Sequence, residues 1–149
     1  LDSTSGSQVS LSDYEGKTVL LFFQEGLTCQ ACWDQVTDLE KDAQLFKDQV
    51  GVEEMLVITN DPVNLLAQKV QSDGYTLPVL SDQSKVASVA YGALAYGMMH
   101  GSTPGHTFVL VDPKGVIRWR ADYGGPLTNY VMYLPDTQII HDMQHDLNG

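Results

Sequence analysis

Apolar and polar positions change their period several times along this chain, and each change marks a predicted element. Val19-Leu20-Leu21-Phe22-Phe23 is an unbroken apolar run after the Gly16-Lys17 turn. A run without alternation is the pattern of a strand covered on both faces, as in a parallel sheet. A loop at 24–28 follows. Cys32, Val36, Leu39, Ala43, Phe46 and Val50 then recur at steps of three and four, with Asp34, Asp38, Lys41 and Lys47 on the other side. That period predicts one continuous amphipathic helix of about five turns. Residues 55–59 read as a second buried strand, and Asn60-Asp61-Pro62 turns the chain into a helix at 63–71. A short extended piece at 77–80 precedes a helix opened by Ser81-Asp82 and running to 91. The stretch 92–103 reads as a loop holding one helical turn. Asp112-Pro113-Lys114-Gly115 separates 107–111 from 116–120 and predicts a β-hairpin. Asp136 is expected to cap a last helix whose buried face is Ile139, Ile140, Met143 and Leu147.

The order is β, α, β, α, a short β, α, hairpin, α. Alternation in the first half demands parallel strands and right-handed crossovers, and the hairpin adds antiparallel ones. The fold class is therefore α/β, a central mixed sheet flanked by helices on both faces. With 149 residues there is room for a single core. Residues 1–10, polar and rich in Ser, read as a flexible lead-in to a domain at 11–149.

A hydrophobic fraction of 43% excludes a wholly disordered chain. The formal net charge of −11 repels phosphate backbones and anionic lipid headgroups, which argues against nucleic acid as a partner. No apolar run approaches the roughly 20 residues of a spanning helix, so no direct membrane insertion is expected within this chain.

The chemistry concentrates in two cysteines at Cys29-Gln30-Ala31-Cys32. They fall where a buried strand ends and a helix starts. Cys29 would face the free N–H groups and the positive end of the helix, which favours its thiolate. Cys32, one turn deeper on the same face, is placed to close a small ring with it. The arrangement suits attack by Cys29 on a disulfide and resolution by Cys32. Half of a zinc site and a purely structural disulfide are the competing readings. No second CxxC accompanies this one, and a bridge over two residues constrains the unfolded chain little.

The stretch from Leu11 to Tyr123 resembles the thioredoxin-like superfamily in its redoxin branch. That branch holds the AhpC/TSA antioxidant proteins and the TlpA- and ResA-type thiol–disulfide oxidoreductases. The resemblance rests on Leu11-Ser12-Asp13-Tyr14-Glu15-Gly16-Lys17 with the apolar run after it, on Cys29 to Cys32, and on Thr103-Pro104 ahead of Thr107-Phe108-Val109-Leu110-Val111-Asp112-Pro113-Lys114-Gly115. It implies a thioredoxin-like fold and exchange with a thiol- or disulfide-bearing partner protein. It also implies that Pro104 is a cis-proline, holding the backbone of Thr103 beside Cys29 to pair with an incoming peptide. No dissociable cofactor is implied, since the electrons reside in the cysteine pair.

The chain departs from the branch in several places. Thr28 stands where a Trp usually precedes the first cysteine, and Trp33 follows the second, where it is expected to shape the partner surface. Peroxiredoxins of this branch carry Pro and Thr ahead of the peroxidatic cysteine, where this chain has Phe22 and Gly26 before Cys29. That departure counts against a peroxiredoxin-like peroxidase, which stands as the first alternative function. A copper-delivery module resembling the Sco proteins is the second, with Cys29, Cys32, His100 and His106 as soft ligands near Met98 and Met99. Glu25 and His106 are candidate proton relays. The paired His141 and His145 read as a polar helix face. The polar lead-in, the absence of an initial Met and the ResA-type likeness point to an extracytoplasmic setting, tethered by a segment outside this chain. A lone CxxC fits the cytoplasm equally.

Overall fold

The computed structural model describes residues 1–97, 102–128 and 130–148. Among these, six strands form one mixed sheet in the order β1-β4-β3-β2-β5-β6. They are β1 (Asp2–Ser3), β2 (Val19–Phe23), β3 (Glu54–Thr59), β4 (Val79–Ser81), β5 (Thr107–Val111) and β6 (Ile117–Asp122). The central β2, β3 and β4 run parallel, as the unalternated apolar runs require, and β1, β5 and β6 are antiparallel to their neighbours. The helices are α1 (Gln30–Lys41), α2 (Ala43–Val50), α3 (Val63–Asp73), α4 (Val86–Ala90) and α5 (Asp136–Asn148).

Successive residues of each strand point to opposite faces, and so the core has two halves. Leu20, Phe22, Met55, Val57, Val79, Phe108 and Leu110 pack with Trp33, Val36 and Leu39 of α1, Phe46 of α2, Leu66 of α3, and Ile139 and Met143 of α5. Val19, Leu21, Phe23, Leu56, Ile58, Leu80, Val109 and Val111 face the other way, toward Leu11, Tyr14, Ala87 and Tyr91. Helices cover both faces, the first far more heavily. Among the described residues no helix is long and apolar enough to cross a membrane.

Four expectations need correction. The single five-turn helix is two, because Asp42 (φ −103°, ψ 15°) leaves helical geometry between α1 and α2. Both pieces keep the same apolar stripe, which is why periodicity alone does not reveal the break. Residues 1–10 are no loose lead-in: Asp2 pairs with Ser81 and Ser3 with Leu80 at the sheet edge. The helix expected from Ser81-Asp82 is confined to α4. Ahead of it Lys85 adopts a left-handed φ of 65°, while the Asp82 carboxylate accepts from the N–H groups of Ala87 and Ser88 at 3.1 and 2.6 Å. Asp136 is the first residue of α5 and not its cap, and its side chain has another use described below.

Candidate redox site

Strand register decides which loops meet. Phe23, the last residue of β2, lies beside Ile58 of β3 and Thr107 of β5. Since β3 is parallel to β2 and β5 antiparallel, three connections gather at one end of these central strands. The cysteine loop leaves β2 there, Asn60-Asp61 leaves β3, and residues 103–106 enter β5.

The cysteine loop is built around Gly26. Its φ of +105° belongs to the region that favours glycine, and a Cβ there would fall 2.0 Å from Asp61 Oδ2. That oxygen accepts from the N–H of Leu27 and the hydroxyl of Thr59, both at 2.9 Å, and ties the loop to the end of β3. The Gly26 carbonyl accepts from Cys29 N–H and from the Trp33 indole N–H, each at 3.0 Å. The chain is thereby turned so that Cys29 becomes the N-cap of α1, its Sγ accepting from Cys32 N–H at 3.3 Å. Cys29 and Cys32 form a disulfide with their Cα atoms 5.3 Å apart. Cys29 is half-buried and Cys32 has no exposed surface. On reduction, the sulfur of Cys29 sits at the positive end of α1 with an N–H aimed at it, the environment that lowers a thiol pKa.

Behind Cys32 lies His106, wholly enclosed, its Nδ1 3.9 Å from Cys32 Sγ. The rings of Phe22 and Phe108 stand edge-on to it, at centroid distances of 4.6 and 5.6 Å. Burial among these groups disfavours the imidazolium and lowers the His106 pKa to about 3, so the ring is neutral at pH 7. His106 Nε2 lies 3.0 Å from Oε1 of Gln35, which also accepts from Leu134 N–H at 2.9 Å. Gln35 Nε2 donates to the Leu134 carbonyl at 2.9 Å and to Asp136 Oδ1 at 3.1 Å. All four hydrogen-bonding positions of the amide are thus used. Asp136 is itself enclosed. Burial, then the nearby carboxylates of Asp42 and Asp38, push its pKa up to about 8 against the pull of Gln35.

The other expected site residues are placed less uniformly. Trp33 has no exposed surface and offers a partner nothing to touch. It stacks on Tyr75 at 5.6 Å, carries the Lys69 ammonium 5.5 Å from its ring centre, and supports the loop from beneath. No peptide bond among the described residues is cis, so Thr103–Pro104 is trans, the lower-energy isomer. Pro104 is buried, the next N–H, of Gly105, is taken by the Ala93 carbonyl at 3.0 Å, and the Thr103 hydroxyl is enclosed with no hydrogen-bond partner among the described residues. Glu25 is half-buried, and its Oε1 and the Thr103 carbonyl both line the space beside Gly97. Met98, Met99 and His100 lie outside the described residues. Among the residues described, no three His, Cys, Asp or Glu side chains converge as a metal would require.

Sequence reading gives Gln35, Asp61 and Asp136 no role at the site. Gln35 carried a signal: it sits three residues after Cys32, a polar side chain beside Val36 on the buried stripe of α1.

A family model described as AhpC/TSA matches residues 1–120. The chain belongs to the AhpC/TSA family. A Mycobacterium tuberculosis protein, provisionally named a peroxiredoxin, is 30% identical over 103 residues, which are 69% of this chain and 64% of that protein. The thiol-disulfide oxidoreductase ResA of Bacillus subtilis is 28% identical over 117 residues, covering 78% of this chain and 59% of ResA. The chain thus spans less than two thirds of these AhpC/TSA relatives. The crystal structure of the peroxidoxin BcpB from Mycobacterium tuberculosis superposes with a TM-score of 0.75 at 18% identity, over 97% of this chain and 90% of that one. At that identity the likeness speaks for the thioredoxin-type fold alone.

Proposed function

We propose that this AhpC/TSA domain is a thiol–disulfide oxidoreductase acting on a partner protein through Cys29 and Cys32. One observation carries the reading: the sulfur of half-buried Cys29 caps α1 while bonded to that of Cys32, which has no exposed surface. In the reduced domain, the Cys29 thiolate attacks a partner disulfide, forming a mixed disulfide and expelling one partner thiolate. Cys32 then attacks Cys29, the Cys29–partner bond breaks, and the partner leaves with two electrons and its second thiolate. The reverse sequence oxidises a dithiol. No dissociable cofactor takes part. An extracytoplasmic setting belongs to the same reading, since partner disulfides persist there.

Names of relatives favour a second reading, a thiol peroxidase. Cys29 would be oxidised by a hydroperoxide to a sulfenic acid with release of the alcohol or water, and Cys32 would condense with it, expelling water. The two are separated by reducing the domain and following its thiols against a protein disulfide, such as that of insulin, or hydrogen peroxide. Rapid oxidation by the disulfide, with peroxide reacting no faster than with free cysteine, is the expected result. Fast loss of thiols to peroxide alone would overturn it in favour of the peroxidase.

A further inference from the structure

We propose that Gln35 is a positioning residue for the resolving step, locking His106 in the tautomer whose Nδ1 lone pair faces Cys32. The inference rests on reading Cys32 as the resolving cysteine. It follows from hydrogen-bond bookkeeping that admits one solution. Leu134 N–H donates to one end of the Gln35 amide and the Leu134 carbonyl accepts from the other, so the end nearer His106 is the oxygen. An oxygen 3.0 Å from Nε2 needs a proton on Nε2, because the alternative sets two lone pairs against each other in a buried site. With the ring neutral and Nε2 protonated, Nδ1 is bare. It points at Cys32 Sγ, 3.9 Å away.

The chemical consequence concerns a thiol that water cannot reach. In a mixed disulfide on Cys29, Cys32 carries a proton that must leave before its sulfur can attack. Nδ1 of His106 is the acceptor in contact with it. Nδ1 takes the proton, the Cys32 sulfur bonds to the Cys29 sulfur, and the leaving sulfur departs with the electron pair. The proton then passes from Nδ1 to the thiolate of that leaving sulfur. The other tautomer presents an N–H to Cys32 and can accept nothing. Gln35 itself is held from the start of α5 and the segment before it: Leu134 and Asp136 supply three of its four hydrogen bonds, and both lie beyond the part of the chain that the family model matches.

The test uses 15N NMR of His106 at pH 7 together with a small-molecule disulfide, dithionitrobenzoate. Reduced protein should release thionitrobenzoate in two phases, the first by Cys29 attack and the second by Cys32. Wild type is expected to show the Nε2–H tautomer. Gln35→Leu should lose that tautomer preference and slow the second phase by about tenfold or more, leaving the first unchanged. Gln35→Glu keeps an oxygen toward Nε2 and should keep both the tautomer and a near-normal second phase. An Nδ1–H tautomer in wild type, or an unchanged tautomer and second phase in Gln35→Leu, overturns the proposal. Should Gln35→Leu fail to fold, wild type and Gln35→Glu decide: loss of the tautomer in Gln35→Glu also overturns it. Because the probe is a small disulfide, an absence of exchange with protein partners leaves this measurement intact.

Discussion

Nδ1 of His106 lies 3.9 Å from the sulfur of Cys32, and neither side chain has exposed surface. Cys29, its bonded neighbour, is half-open and caps a helix. The two thiols released by reduction therefore inhabit opposite environments, one stabilised as an anion and one shut away from water. Iodoacetamide should modify Cys29 of the reduced protein at least about tenfold faster than Cys32, read by peptide mass mapping across a pH series. Cys32→Ser should accumulate a stable mixed disulfide with dithionitrobenzoate, and Cys29→Ser should form none rapidly. Equal labelling of both sulfurs would contradict the assignment.

His106 also sets an acid limit on stability. Its folded pKa, near 3, is below the unfolded value near 6.5, so between those values the unfolded chain binds the extra proton. The stability contributed by a neutral His106 is intact above pH 6.5 and falls as pH drops toward 3, by on the order of a few kcal/mol. His106→Asn should flatten that slope in urea unfolding at pH 4 to 7.

Asp136 works in the reverse sense. Its carboxyl is raised to about 8, so the folded protein holds a proton that the unfolded chain has already released above pH 4. Stability from this group is greatest near pH 4 and is lost as pH rises to 8. The carboxylates of Asp42 and Asp38 supply part of the shift, and solvent screening near them limits the effect to on the order of 1–2 kcal/mol. Asp136→Asn keeps an acceptor for Gln35 and should be more stable than wild type at pH 8, with the gain shrinking toward pH 4. A constant difference across that range would contradict the shift.

Gly26→Ala tests the support of the loop. The new methyl meets Asp61 Oδ2 on a backbone of positive φ, which should cost about 2 kcal/mol or more in thermal or urea unfolding. Asp61→Ala frees the Leu27 N–H and the Thr59 hydroxyl from their shared acceptor, and about 1–3 kcal/mol is expected there. Both variants should broaden the amide resonances of residues 26–29, whereas the central strands should keep theirs.

Much of the fold was legible because burial imposes a period. The run 19–23 names β2 directly, and the stripe from Cys32 to Val50 marks the helical stretch that α1 and α2 share. Asp42 escaped notice because a break that preserves the stripe leaves the period unchanged. β1 escaped because two residues at a sheet edge are held by backbone pairing, which composition does not record. The cysteine pair announced itself by spacing. His106 was marked as a candidate, but its burial depends on Phe22 and Phe108 closing over it from two strands. Gln35 and Asp136 gain their meaning only from each other, and no local pattern links positions a hundred residues apart.

That separation has a consequence for the newly made protein. The ribosome delivers β2, both cysteines and Gln35 about a hundred residues ahead of Leu134 and Asp136. Oxidation needs only two sulfurs three residues apart, but the amide that orients the imidazole must wait for the last helix to dock. A nascent chain can thus acquire its bridge before it acquires the means to control it, and the start of α5 is the piece that completes the site.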